Sequence, residues 1–108
     1  MATEIAIAAY RPHAGVGDEV VALLREDVAT LRGRGHVTER PAPLARTDRG
    51  ELLVVLEWSS EHAVDDAHAD PAVLAVWERK AQLADYVPPA ALAGAESPFA
   101  RWTLVANL

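Results

Sequence analysis

Cysteine is absent from this chain of 108 residues. That excludes disulfide staples, a thiolate nucleophile and cysteine-ligated metal, and leaves packing or a partner subunit as the source of stability. A chain of this length makes one domain, residues 1–108, and buries only about 65% of its unfolded surface. No apolar run approaches the ~18 residues of a membrane span, and Met1-Ala2-Thr3-Glu4 has no basic export-signal start, so a soluble, unprocessed, cytoplasmic protein is expected. Positive charge is scarce as well: 10 Lys and Arg face 16 Asp and Glu, for a net charge of -6. Arg32, Arg34, Arg40, Arg46 and Arg49 are spread along a loop and hairpin and form no basic face, which excludes nucleic acid as a partner. Also missing are a Gly-Ser nucleophile turn, a phosphate-binding glycine loop and a dinucleotide fingerprint, since Gly15-Val16-Gly17 lacks the third glycine.

The residues present alternate between strand and helix patterns. Glu4 to Arg11 carries β-branched or small apolar residues on both sides of the pleat and reads as a strand buried on two faces, stopped by Pro12. Asp18 is the expected N-cap of an amphipathic helix whose stripe is Val20, Val21, Leu24, Val28 and Leu31, ended by Gly33 and Gly35. Val37 to Thr47 is expected as an edge or bulged strand, because Pro41 and Pro43 lack ladder N–H groups. Asp48-Arg49-Gly50 turns the chain into Leu52–Leu56, a continuously apolar strand ending at Glu57-Trp58.

Ser59 or Ser60 then caps a short helix to about Ala69, acidic through Glu61, Asp65 and Asp66. Asp70-Pro71 is a second cap and first-turn signal, predicting a helix through Val73, Leu74, Trp77, Ala81, Leu83 and Ala84 to about Tyr86. Pro88-Pro89 ends it, Ala90 to Pro98 is a loop, and Ala100 to Ala106 is a last strand.

The resulting order, β-α-β-β-α-β, predicts an α+β, ferredoxin-like fold with two helices on one face of a four-stranded antiparallel sheet. Ile5, Ile7 and Ala9 point opposite to Ala6, Ala8 and Tyr10, and Leu52, Val54 and Leu56 opposite to Leu53 and Val55, so both sheet faces are apolar. Two helices cover only one face. The other is expected to pack on its copy in a homodimer.

The stretch from Leu52 to Trp77 carries a resemblance. A tryptophan at the strand end (Trp58), an Ala-His pair (Ala67-His68) and a break at His68-Ala69-Asp70-Pro71 resemble the antibiotic biosynthesis monooxygenase-like (ABM) branch of the dimeric α+β barrel superfamily. The resemblance implies a dimeric α+β barrel and a ligand cavity between sheet and helices or within the barrel. It further implies cofactor-independent oxygenation of a hydrophobic, aromatic or polyketide-like small molecule, with a non-oxidative cyclase or isomerase, or a non-catalytic ligand-binding protein, as alternatives on the same scaffold. One branch of the superfamily degrades haem, but its histidine-ligand position falls near Trp77 here and the first strand has no asparagine, so no cofactor is expected.

Against that background each polar or aromatic candidate has two readings. His68 either takes a substrate proton, since imidazole titrates near neutral pH, or bonds a carbonyl at the helix break. Glu57 is either a desolvated cavity base or an interchain salt-bridge partner for an arginine. Tyr10 either donates to a substrate oxygen or packs its ring with a wetted hydroxyl. Trp58 and Trp77 are packing residues or cavity walls, and Tyr86, Phe99 and Trp102 form either one aromatic end of a pocket or a cluster under the Pro-rich loop. His62 and His68 stand on divergent sides of a helix, and His13 and His36 offer no usable spacing, so no metal site is expected.

Overall fold

The computed structural model describes residues 2–108. In chain order the elements are β1 (Glu4–Pro12), α1 (Gly17–Gly33), β2 (Pro43–Arg46), β3 (Leu52–Trp58), α2 (Ala63–His68), α3 (Pro71–Ala81), β4 (Ala84–Val87), a single 3-10 turn (Pro89–Ala91) and β5 (Thr103–Asn107). The sheet is antiparallel and has five strands, in the order β4-β1-β3-β2-β5. Its first four strands keep the ferredoxin-like neighbour relations, and β5 extends them.

The fifth strand corrects the expected four. The helix predicted to run to Tyr86 ends at Ala81, and Ala84–Val87 pairs with β1, setting Tyr86 opposite Tyr10 and Val87 opposite Ala9. An aromatic and a β-branched residue just before Pro88 favour a strand, and β1 offers an unpaired edge to satisfy it. The final strand therefore pairs with β2 on the far side, from Thr103 to Asn107. β2 is shorter than expected and internal to the sheet. Its irregularity survives as a register shift between Leu44 and Ala45, while Val37 makes one isolated bridge to Trp58.

Capping differs in detail. Val16, not Asp18, is the N-cap of α1, and Asp18 and Glu19 occupy its first turn, where negative charge suits the helix dipole. Ser60 sits ahead of α2, its hydroxyl accepting from the His62 N–H at 3.2 Å. Asp70 does cap α3, accepting from the Ala72 N–H at 3.0 Å. Its other oxygen accepts from Arg34 at 2.7 Å and His36 at 2.8 Å. The loop after α1 is thereby tied to the break between α2 and α3.

The main core lies between the sheet and the helices, where Val20, Leu24, Val28 and Leu31 of α1 and Val73 of α3 meet Leu44, Leu52, Val54 and Leu56. Leu74, expected in the α3 stripe, is exposed. The second sheet face is covered in part. Residues 88–102 fold back across it, and Leu92 packs on Ala9 and Leu53 with Trp102 alongside. The buried carboxylate of Glu51 fastens this strap: it accepts from the Ala93 N–H at 3.0 Å, while Trp102 Nε1 donates to the Ala93 carbonyl at 2.7 Å. Beyond the strap Ile5, Ile7 and Leu104 stay exposed. Among the described residues no helix is long and apolar enough to cross a membrane.

Candidate functional site

A cavity of about 390 Å³ opens between the sheet and the helices. Every layer contributes to it: Tyr10 from β1, Asp27 from α1, Trp58 from β3, His68 from α2, Trp77 and Lys80 from α3, and Tyr86 from β4. The strand period sets this up, because Tyr10 and its register partner Tyr86 project to the helix-facing side together, and Trp58 follows Leu56 on the same side. Their rings lie close, with the Tyr10 and Tyr86 centroids 5.2 Å apart.

His68 ends α2 at the cavity rim. Its Nδ1 lies 2.8 Å from the Val64 carbonyl, and since a carbonyl only accepts, Nδ1 carries a proton and Nε2 is the nitrogen turned to a ligand. The Trp77 ring meets the imidazole edge-on, at 4.9 Å between centroids. The carbonyl bond at the helix break thus uses one ring nitrogen and leaves the other for a ligand.

Deeper in, two charged residues sit where a core is usually apolar. Lys80 and Asp27 are 2% and 4% exposed, and Lys80 Nζ donates to Asp27 Oδ2 at 2.6 Å and to the Tyr10 hydroxyl at 3.0 Å. Trp77 Nε1 donates to the remaining Asp27 oxygen at 3.0 Å. Burial, and next the Asp27 carboxylate, hold the Tyr10 phenol well above its ordinary range. Burial also pushes Tyr86 up, opposed in part by Lys80. Both phenols therefore remain donors at neutral pH, and neither serves as a base.

The other predicted candidates lie elsewhere. Glu57 is on the opposite sheet face, where Thr38 donates to it at 2.8 Å and Arg40 pairs with it at 3.1 Å within the same chain. These partners, Thr38 foremost, lower its pKa rather than raising it toward a base. Phe99 projects into solvent, and Trp102 lines a separate cleft of about 380 Å³ with Arg46 and Arg101. The expected aromatic end is thus divided, with Tyr86 alone in the central cavity. His13 meets Asp85 at 3.2 Å and His62 meets Glu61 at 3.5 Å, both at the surface. Among the described residues no group of three His, Asp or Glu could hold a metal.

Asp27 and Lys80 are the site residues that the sequence reading missed. Their signal was positional: Asp27 interrupts the apolar stripe between Leu24 and Leu31, and Lys80 stands three residues after Trp77 and four after Val76.

A solved structure of a protein from Chloroflexus aurantiacus, provisionally named an antibiotic biosynthesis monooxygenase, matches 79% of this chain and 84% of its own at a TM-score of 0.63 and 17% identity. This chain has the antibiotic biosynthesis monooxygenase-like fold. No protein-family model matches the sequence, and no curated protein matches it either. At that identity the likeness is one of fold.

Proposed function

We propose that the protein is a cofactor-independent monooxygenase acting on a hydrophobic, planar, aromatic or polyketide-like small molecule. The observation that carries the reading is the cavity itself, with indole and phenol walls and an imidazole at its rim whose Nδ1 is tied to the Val64 carbonyl, leaving Nε2 for a ligand. Trp58 and Trp77 offer faces for a fused ring system. His68 removes a proton from an activated carbon of the bound ring, and Tyr10, held protonated, donates to the adjacent oxygen as charge develops there. The carbanion reduces dioxygen, one oxygen atom enters the substrate as a carbonyl, and the other leaves as water. The electrons come from the substrate, so the reading asks for no cofactor.

The active species is a homodimer in this reading. Ile5, Ile7 and Leu104, 63%, 45% and 57% exposed, leave an apolar strip beside the strap, and a second copy of the same sheet face covers it.

Oxygen uptake by metal-stripped, flavin-free protein against anthrone-like and hydroquinone-like compounds is the test. Uptake that falls at least about 100-fold in His68→Ala, the usual scale of a lost general base, supports the reading. Ligand binding by tryptophan quenching with no uptake across the panel refutes oxygenation in favour of a binding or non-oxidative role.

A further inference from the structure

Nine arginines and one lysine supply the basic side chains of this chain, and the lysine is the one that goes fully inside. A buried ion pair is a poor way to stabilise a core, because well-packed apolar residues of similar volume do as well or better. The position of Lys80 gives it another use. Its ammonium lies 4.6 Å from the centre of the Tyr10 ring, 5.4 Å from that of Tyr86 and 5.8 Å from that of Trp77, at the wall of the central cavity.

The donors there are not used up. An ammonium has three N–H groups, and Lys80 gives two of them to Asp27 and Tyr10. Tyr10 accepts from Lys80 through its oxygen, which leaves its own O–H to donate, and Tyr86 adds a second hydroxyl. Both oxygens of Asp27 already accept bonds, from Trp77 and Lys80, so the carboxylate is occupied in holding the lysine in place.

The geometry points to an oxyanion site in which Lys80, with the hydroxyls of Tyr10 and Tyr86, binds the acidic hydroxyl of a planar aromatic ligand, a phenol or enol, in its ionised form. The released proton passes to solvent, which leaves His68 Nε2 for the carbon proton. This inference rests on the reading of the cavity as the ligand site and narrows its ligand to hydroxyaromatics. It makes Lys80 a catalytic residue in contact with the reacting oxygen, since a site that favours the anion also favours the electron-rich state that meets dioxygen.

The test uses 2-hydroxyanthraquinone, whose visible absorption reports its ionisation and which is not a substrate for oxygenation. The titratable groups facing it are Tyr10 from β1, Asp27 from α1, His68 from α2, Lys80 from α3 and Tyr86 from β4, and a His68→Gln form titrated in parallel removes the histidine charge. Burial and the Asp27 carboxylate, which hold Tyr10 up, act on the dye as well, so the lysine's part is read by comparison: bound to the wild type, the dye should ionise about one to three pH units below its value bound to Lys80→Met. In Lys80→Met its midpoint should return to the buffer value or above. The double variant Asp27→Asn/Lys80→Met removes both buried charges, keeps the comparison available if the single variant fails to fold, and should ionise the dye near its buffer value. Because Lys80 is the chain's sole lysine, the side-chain signal of selectively labelled lysine should also shift as the dye ionises. Equal midpoints in wild type and double variant, or no dye binding to the wild type, overturn the inference. A lysine-dependent shift without oxygen uptake upholds it while refuting the oxygenase reading, and uptake with equal midpoints does the reverse.

Discussion

Asp27 and Lys80 set the character of the cavity at the scale of single residues. Each alone is an uncompensated buried charge, so Lys80→Met or Asp27→Asn should cost about 3–5 kcal/mol in urea unfolding, while Asp27→Asn/Lys80→Met should recover much of that loss. A double variant as unstable as the sum of the two singles would contradict the pairing. Tyr10, Trp58, His68 and Trp77 line one cavity; strand period turns Tyr10 and Trp58 to the helix side and helix spacing places Trp77, while His68 was singled out by the resemblance alone. It did not locate the ion pair, since one charged residue on an apolar stripe reads as an irregularity until the opposite charge is seen on the packed helix. Glu57 misled for a related reason: its face of the pleat was legible, but Thr38 and Arg40 come from a segment without a periodic signal.

Among elements, the break between α2 and α3 matters most, because it sets His68 at the cavity rim. The Asp-Pro signal made it visible, and Asp70 holds it through the Ala72 N–H, Arg34 and His36. Hydrogen bonds from Arg34, foremost, and His36 keep the Asp70 carboxyl below its usual range. A carboxylate whose folded pKa is depressed gives stability that is complete above the unfolded value near 3.9 and is lost as pH falls through the folded value. Asp70→Asn, which keeps a capping oxygen, should therefore be less stable than the wild type at neutral pH, and the gap should narrow on acidification below about pH 4. A gap independent of pH would show that the charge at Asp70 plays no part. The last strand was legible to within a few residues, Ala100–Ala106 read against Thr103–Asn107 found, whereas β4 was not. Tyr86-Val87 continues a helical spacing as easily as it starts a strand, and pairing with the free edge of β1 decides the matter.

For the whole molecule the question is what covers the second sheet face. Its apolar character was readable from alternating residues in β1 and β3, whereas the strap that covers Ala9 and Leu53 was not, because Leu92 and Trp102 lie in an irregular segment. The remaining strip around Ile7 is the proposed dimer surface. Ile7→Asp should leave the fold intact, since this side chain is half exposed, and should shift sedimentation from a dimer to a monomer at micromolar concentration. A wild type that already sediments as a stable monomer would contradict the barrel.

The proposed chemistry requires that dioxygen enter a ligand held in the cavity with no added cofactor. The most direct measurement is mass spectrometry of the product formed from an anthrone-like substrate under ¹⁸O-labelled dioxygen, with wild type and His68→Ala compared. One labelled oxygen atom per product molecule, formed by the wild type and lost with His68, is the predicted result. A product without label, or one formed equally well by His68→Ala, would contradict it.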